Sequence, residues 1–171
     1  VTYHPTYTLE RVLRYGENPH QKAAFYGFDG QGGPSLARAE VLQGKELSYN
    51  NILDLDAALK LCVEFDEAAV VIIKHTNPCG AAISTVSALD AYRRARETDP
   101  VSAFGGIVAV NRPIDAELGR ELSETFLECI IAPDYAPEAL ASLSAKKNLR
   151  LLKSPMGPLP AGELELRSVA G

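Results

Sequence analysis

The chain has 171 residues, 46% apolar and 23% charged, with a formal net charge of −5. That is about one domain, long enough to bury its own core, with an ordinary globular composition. The acidic balance excludes a general electrostatic draw to nucleic acid or anionic membrane, no apolar run nears membrane-spanning length, and three scattered cysteines argue for a reducing, cytoplasmic setting over a disulfide framework.

The first segment, Val1 to Gly16, holds four apolar residues (Leu9, Val12, Leu13, Tyr15) with no long periodic run, and its opening is not patterned as a signal peptide. It ends in LRYGENPHQ (13–21), where Gly16, Asn18 and Pro19 predict a tight turn. The turn is dense in chemistry. Arg14 has the fork geometry suited to phosphate or carboxylate, and Tyr15 adjoins it. By itself the segment reads more readily as a solvated polar turn than as a binding site.

Ala23 to Phe28 reads as a strand, closed by the Gly-rich stretch Gly30 to Pro34, which lacks phosphate-loop and dinucleotide spacings. Ala37 to Leu47 is extended or irregular. SYNN (48–51) supplies a helix cap, and Ile52, Leu55, Leu59 and Cys62 then fall at helical spacing, which makes Cys62 a packing residue.

Ala68 to Ile73 is a β-branched apolar run, the pattern of a strand buried on both faces. Lys74 and His75 follow at once, and Thr76 to Gly80 read as a turn. A cation and an imidazole thus stand where a buried strand ends, the place where open α/β sheets bind ligands. Because strand side chains alternate faces, the two serve one site only if strand pairing has ended there. A surface lysine beside a hydrogen-bonded core histidine is the competing reading.

A helix is expected over Val86 to Glu97, with Leu89, Tyr92 and Ala95 inward and Arg93, Arg94 and Arg96 on a solvated face; Asp99 and Pro100 end it. Gly105 and Gly106 precede a short strand, Ile107 to Val110, and permit close backbone approach or an unusual φ. Asp115 caps a helix holding Leu118, Leu122 and Phe126. Glu128 stands immediately before a strand, Cys129 to Ala132. A short helix (Pro137 to Ser144), a strand (Leu149 to Leu152), a loop (Ser154 to Gly162) and a strand-like alternation (Glu163 to Val169) follow. Alternating strands and helices predict a layered α/β domain.

Some chemistry is missing. NPCG (77–80) resembles half of the nucleobase deaminase zinc signature, but position 82 is Ala where a second Cys is needed. No histidine is followed two residues on by the required Glu: His4, His20 and His75 have Thr6, Lys22 and Asn77. No nucleophile elbow is present.

RYGENPHQ (14–21), LSYNN (47–51), KHTNPCG (74–80), DPVSAFGG (99–106) and IIAPDY (130–135) occur together in this order. Together they resemble the transformylase domain of the bifunctional AICAR transformylase/IMP cyclohydrolase family. The resemblance implies formyl transfer from 10-formyltetrahydrofolate to the 5-amino group of AICAR, an aminoimidazole carboxamide ribonucleotide. It implies a three-layer α/β/α sandwich, cytidine deaminase-like but without zinc. It further implies a cytoplasmic homodimer with a shared active site and no metal requirement.

On this resemblance, residues 1–171 are the first part of the transformylase domain, with the cyclohydrolase domain and the second transformylase half absent. His75 matches the family's general base and Lys74 its neighbouring transition-state stabiliser. Arg14 and Tyr15 match nucleotide contacts, Gly105 a backbone contact, and Glu128 an acidic substrate contact where some relatives carry Asp. A different class remains open for the chain as given: a non-catalytic α/β fragment that binds nucleotide or folate weakly or mediates dimerisation.

Overall fold

The computed structural model describes residues 2, 4–27 and 33–159. In chain order the elements are β1 (Thr8–Leu13), β2 (Ala23–Gly27), β3 (Glu40–Gln43), α1 (Tyr49–Cys62), β4 (Ala68–Lys74), β5 (Asn77–Ser84), α2 (Ala88–Thr98), α3 (Pro100–Ala103), β6 (Gly106–Val110), α4 (Ala116–Glu124), β7 (Leu127–Ala132), α5 (Pro137–Leu143) and β8 (Arg150–Lys153). The expected strand over Glu163–Val169, and the parts of two expected loops at 30–32 and 160–162, lie outside the described residues.

β1 and β2 form an antiparallel pair, and six strands form the main sheet in the order β3-β8-β7-β6-β4-β5. The expected α/β pattern is therefore present, as a mixed sheet. β6, β7 and β8 run parallel, while β4 is antiparallel to both β5 and β6. The β-branched run of β4 is inaccessible from Ala69 to Ile73, as a central strand requires. Its side chains alternate between two cores. Val70 and Ile72 join Tyr92, Leu118, Leu122 and Leu143 on one face. Ala69, Val71 and Ile73 join Leu55, Leu59 and Cys62 of α1 on the other. Helices thus cover both faces.

Local chemistry sets the element ends. Ser48 caps α1: its Oγ accepts from the Asn51 amide while Asn51 Oδ1 accepts from the Ser48 amide. Ser87, Asp99 and Asp115 each accept from an amide in the first turn of α2, α3 and α4. Burial pushes the Cys62 and Cys129 thiols up to about 12, and both act as small core residues. The three arginines of α2 stay on its solvated side, where Arg93 pairs with Glu121 and Arg94 with Asp90. None of the described helices is long and apolar enough to cross a membrane.

Three expectations need correcting. The helix capped by Asp115 does not hold Phe126: α4 ends at Glu124, Thr125 is already extended, and the Phe126 ring lies 5.1 Å from that of Phe104. Glu128 does not precede its strand but lies within it, because β7 begins at Leu127, which pairs with Gly106. The turn assigned to Thr76–Gly80 is confined to His75 and Thr76, and strand β5 begins at Asn77. Pro78 is tolerated because β5 is an edge strand. Segment β1 shows no strand pattern in the sequence because it is exposed at every position but Leu13, so it has no buried face to alternate with a polar one; a register shift also falls between Leu9 and Arg11.

Asn111, just after β6, pins the α1–β4 connection. Its Oδ1 accepts from the Ala69 amide at 2.7 Å, and its Nδ2 donates to the Phe65 and Glu67 carbonyls at 2.8 Å each. Asn111→Ala leaves these backbone groups without partners. Urea unfolding is expected to show a loss of about 2 kcal/mol, within the range for unpaired buried polar groups. An unchanged midpoint would mean that the connection holds itself.

Candidate active site

The mixed sheet gathers chemistry at one end. Because β4 is antiparallel to β6, its carboxyl end lies beside the amino ends of β6, β7 and β8. Lys74, Gly105, Glu128 and Arg150 therefore share one end of the sheet, from four separated segments. The crevice rule for strand carboxyl ends points here through β4, while the three parallel strands present their amino ends.

The β4–β5 connection is a two-residue hairpin turn. His75 (φ 52) and Thr76 (φ 61) are both left-handed, the conformation of a type I′ turn. Neither is glycine, so each costs on the order of 1–3 kcal/mol that surrounding contacts must offset. Strand pairing ends at Lys74, opposite Asn77, so His75 is freed from strict alternation of faces, as a shared site with Lys74 requires. His75 is exposed, not a core histidine. Its carbonyl accepts from Thr76 Oγ1 at 2.7 Å and Asn77 Nδ2 at 2.8 Å.

Lys74 is half-buried, and its ammonium donates to the carbonyls of Phe104 (3.1 Å) and Gly105 (3.0 Å). Two of its three donors are thus committed, and one remains. Gly105 is left-handed (φ 71), and a Cβ there would stand 3.0 Å from the Lys74 ammonium. The glycine serves both the turn and the close approach. The Gly105 amide donates to the Phe126 carbonyl at 2.7 Å, tying this loop to the segment that enters β7. Glu128 follows on β7, half-buried, and accepts from Asn51 Nδ2 at 2.8 Å. Asn51 thereby joins the cap of α1 to Glu128.

Arg14 and Tyr15 leave β1 together, the guanidinium 5.6 Å from the ring centre. They line a cavity of about 350 Å³ with Lys45, Glu46, Leu47, Ser48 and Arg150. A larger cavity of about 580 Å³ runs from Phe126, Leu127 and Glu128 to Lys146, Lys147 and Asn148, and shares Lys45 and Arg150 as walls. The shared walls set the Arg14–Tyr15 cavity beside the Glu128 cavity. Lys74, His75 and Gly105 line neither. They connect to it through the Gly105–Phe126 hydrogen bond and through α1, whose Asp54 accepts from the Thr76 amide at 2.7 Å. Arg14, Lys45 and Arg150 make the smaller cavity cationic within an acidic chain, which suits an anionic ligand.

Sequence reasoning missed Asn51, Asp54, Lys45 and Arg150. SYNN signalled only a cap, and no local pattern marks a side chain that reaches across to another element. Among the described residues no cluster of three or more His, Cys, Asp or Glu could hold a metal ion.

The family model described as AICARFT/IMPCHase bienzyme matches residues 2–171. The bifunctional purine biosynthesis protein PurH of Myxococcus xanthus is 58% identical over 168 residues, covering 93% of this chain and 32% of that protein. PurH of Anaeromyxobacter sp. (strain K) is 55% identical over 174 residues, 96% of this chain and 33% of the relative. PurH of Rhodospirillum rubrum is 58% identical over 164 residues, 95% and 31% respectively. The chain spans about a third of the length of the curated relatives it matches.

Proposed function

The chain belongs to the AICARFT/IMPCHase bienzyme family, and from that premise we propose that the complete protein transfers a formyl group from 10-formyltetrahydrofolate to the 5-amino group of AICAR. The products are formyl-AICAR and tetrahydrofolate, a step of purine biosynthesis. The complete protein would also carry the IMP cyclohydrolase activity, and residues 1–171 would form the first part of its transformylase domain. The reading includes a cytoplasmic homodimer with a shared site, a cytidine deaminase-like sandwich without its zinc, and no metal in the reaction.

The observation that best supports this reading is the Lys74 ammonium held on the carbonyls of Phe104 and Gly105 beside the left-handed turn carrying His75. The acceptor amine is weak, because the ring carboxamide withdraws its electron pair. As its nitrogen attacks the formyl carbon, His75 takes the amine proton. The free donor of Lys74 stabilises the developing oxyanion or protonates the folate nitrogen as its bond to carbon breaks. Arg14 and Tyr15 hold the nucleotide, Gly105 contacts it through its backbone, and Glu128, steadied by Asn51, offers an acidic contact.

Formyl transfer by the complete protein tests the reaction. The isolated 171 residues are expected to give negligible turnover, since they span a third of the relatives. Turnover near that of the complete protein would show that this stretch carries the whole site. Within the complete protein, Arg14→Ala is expected to raise the KM for AICAR about tenfold or more, the loss of a charge-assisted contact, with a smaller fall in kcat. A fall in kcat alone would move Arg14 out of the nucleotide-binding role.

A further inference from the structure

We propose that Asp54 is a positioning residue for His75, holding the β4–β5 turn in the left-handed form that presents the imidazole. The inference rests on the reading of His75 as the base. In a two-residue hairpin turn the amide of the second residue has no partner within the turn itself. Here that amide, Thr76 N–H, donates to Asp54 Oδ1 at 2.7 Å, across 22 residues and from a different element, α1. The other side of the same peptide plane, the His75 carbonyl, accepts from Thr76 Oγ1 and Asn77 Nδ2.

The peptide between His75 and Thr76 is therefore gripped on both edges. Its orientation decides the turn. Turned over, Thr76 would leave the left-handed region and the His75 carbonyl would face the Asp54 carboxylate, where like partial charges repel. The carboxylate favours one orientation and penalises the other. That is the contact an unfavourable pair of non-glycine residues requires to persist. Asp54 is itself fixed on α1, whose capping box at Ser48 and Asn51 precedes it by about a turn and whose Leu55, Leu59 and Cys62 beyond it pack against β4. A rigid helix thus sets the position of an exposed histidine on a two-residue loop.

The test uses the complete protein with three variants: Asp54→Ala, Asp54→Asn, and Asp54→Ala combined with Thr76→Gly. Asp54→Ala is expected to lower kcat by about 10- to 10²-fold, the scale of a displaced reacting group, with little change in the KM for AICAR. Asp54→Asn retains an acceptor oxygen and should recover most of that loss. Thr76→Gly, which takes the left-handed conformation without strain, should rescue Asp54→Ala. A structural role alone predicts loss of thermal stability with kcat intact, and no rescue. Crystal structures of the variants give a readout independent of activity: the peptide between His75 and Thr76 should turn over in Asp54→Ala, taking residue 76 out of the left-handed region, and should keep its orientation in Asp54→Asn. If Asp54→Ala does not fold, the comparison of Asp54→Asn with the parent, in kcat and in turn geometry, decides between the same alternatives. An unchanged turn with unchanged kcat overturns the proposal. If His75→Ala keeps its kcat, the base assignment has failed, while the turn geometry of the Asp54 variants still decides whether Asp54 positions residue 75.

Discussion

Replacing His75 by alanine in the complete protein is expected to lower kcat by about 10²–10⁴-fold, the usual contribution of a general base, with the KM for AICAR changed far less. The base acts only as the amine proton leaves, so its loss falls on the transition state and not on ground-state binding. The structure bears on this in two ways. His75 is exposed on a turn, so its removal opens no cavity in the core. Its carbonyl, not its ring, is what Thr76 and Asn77 hold, so alanine retains those turn contacts. A stability change large enough to mimic a catalytic defect is therefore not expected, and thermal unfolding beside the steady-state kinetics checks it. A near-parental kcat with a raised KM would make His75 a binding residue and send the search for the base elsewhere.

The parts legible in the sequence are those where local pattern and tertiary context agree. The β-branched run before Lys74 could hardly be other than an inner strand, and Val71 to Ile73 are indeed sealed between two cores. Ser48 and Asp115 announced their caps because capping is a contact within one turn of helix. What escaped was non-local. β5 hides behind Asn77 and Pro78, residues that signal turns, because an edge strand leaves a proline's missing donor harmless. β1 is exposed at every position but Leu13, so no buried face imposes an alternation on its sequence. The contacts of Asp54 with Thr76 and of Asn51 with Glu128 span 22 and 77 residues, and no periodicity encodes them. Lys74, His75, Gly105 and Glu128 could be singled out only as residues at element ends or by resemblance. Their assembly at one sheet end follows from β4 running against β6, a choice of direction that strand patterns do not express.

Lys74→Ala is expected to cost roughly 10²–10³-fold in kcat, by comparison with the loss of one oxyanion donor. The reason is geometric. The ammonium is committed through two hydrogen bonds to the carbonyls of Phe104 and Gly105, so its third donor has a fixed direction before substrate arrives. A cation already in place needs no reorganisation during reaction, which is where such groups gain their effect. The same two bonds carry a second consequence. Removing the ammonium also releases the Gly105 loop, whose amide is tied to Phe126, so a modest rise in the KM for AICAR should accompany the fall in kcat. Lys74→Met, which keeps the stem and loses the charge, separates packing from electrostatics and should be nearly as slow as the alanine variant. The double variant Lys74→Ala/His75→Ala should be little slower than the poorer single, because base and cation serve one step and their effects are far from additive. Steady-state kinetics with AICAR varied at saturating formyl folate measures the parent, both single alanine variants, Lys74→Met and the double variant on one scale. Fully multiplicative losses in the double variant would mean that the two residues act on different steps, and Lys74 would then be assigned to holding the Gly105 loop instead of the developing charge.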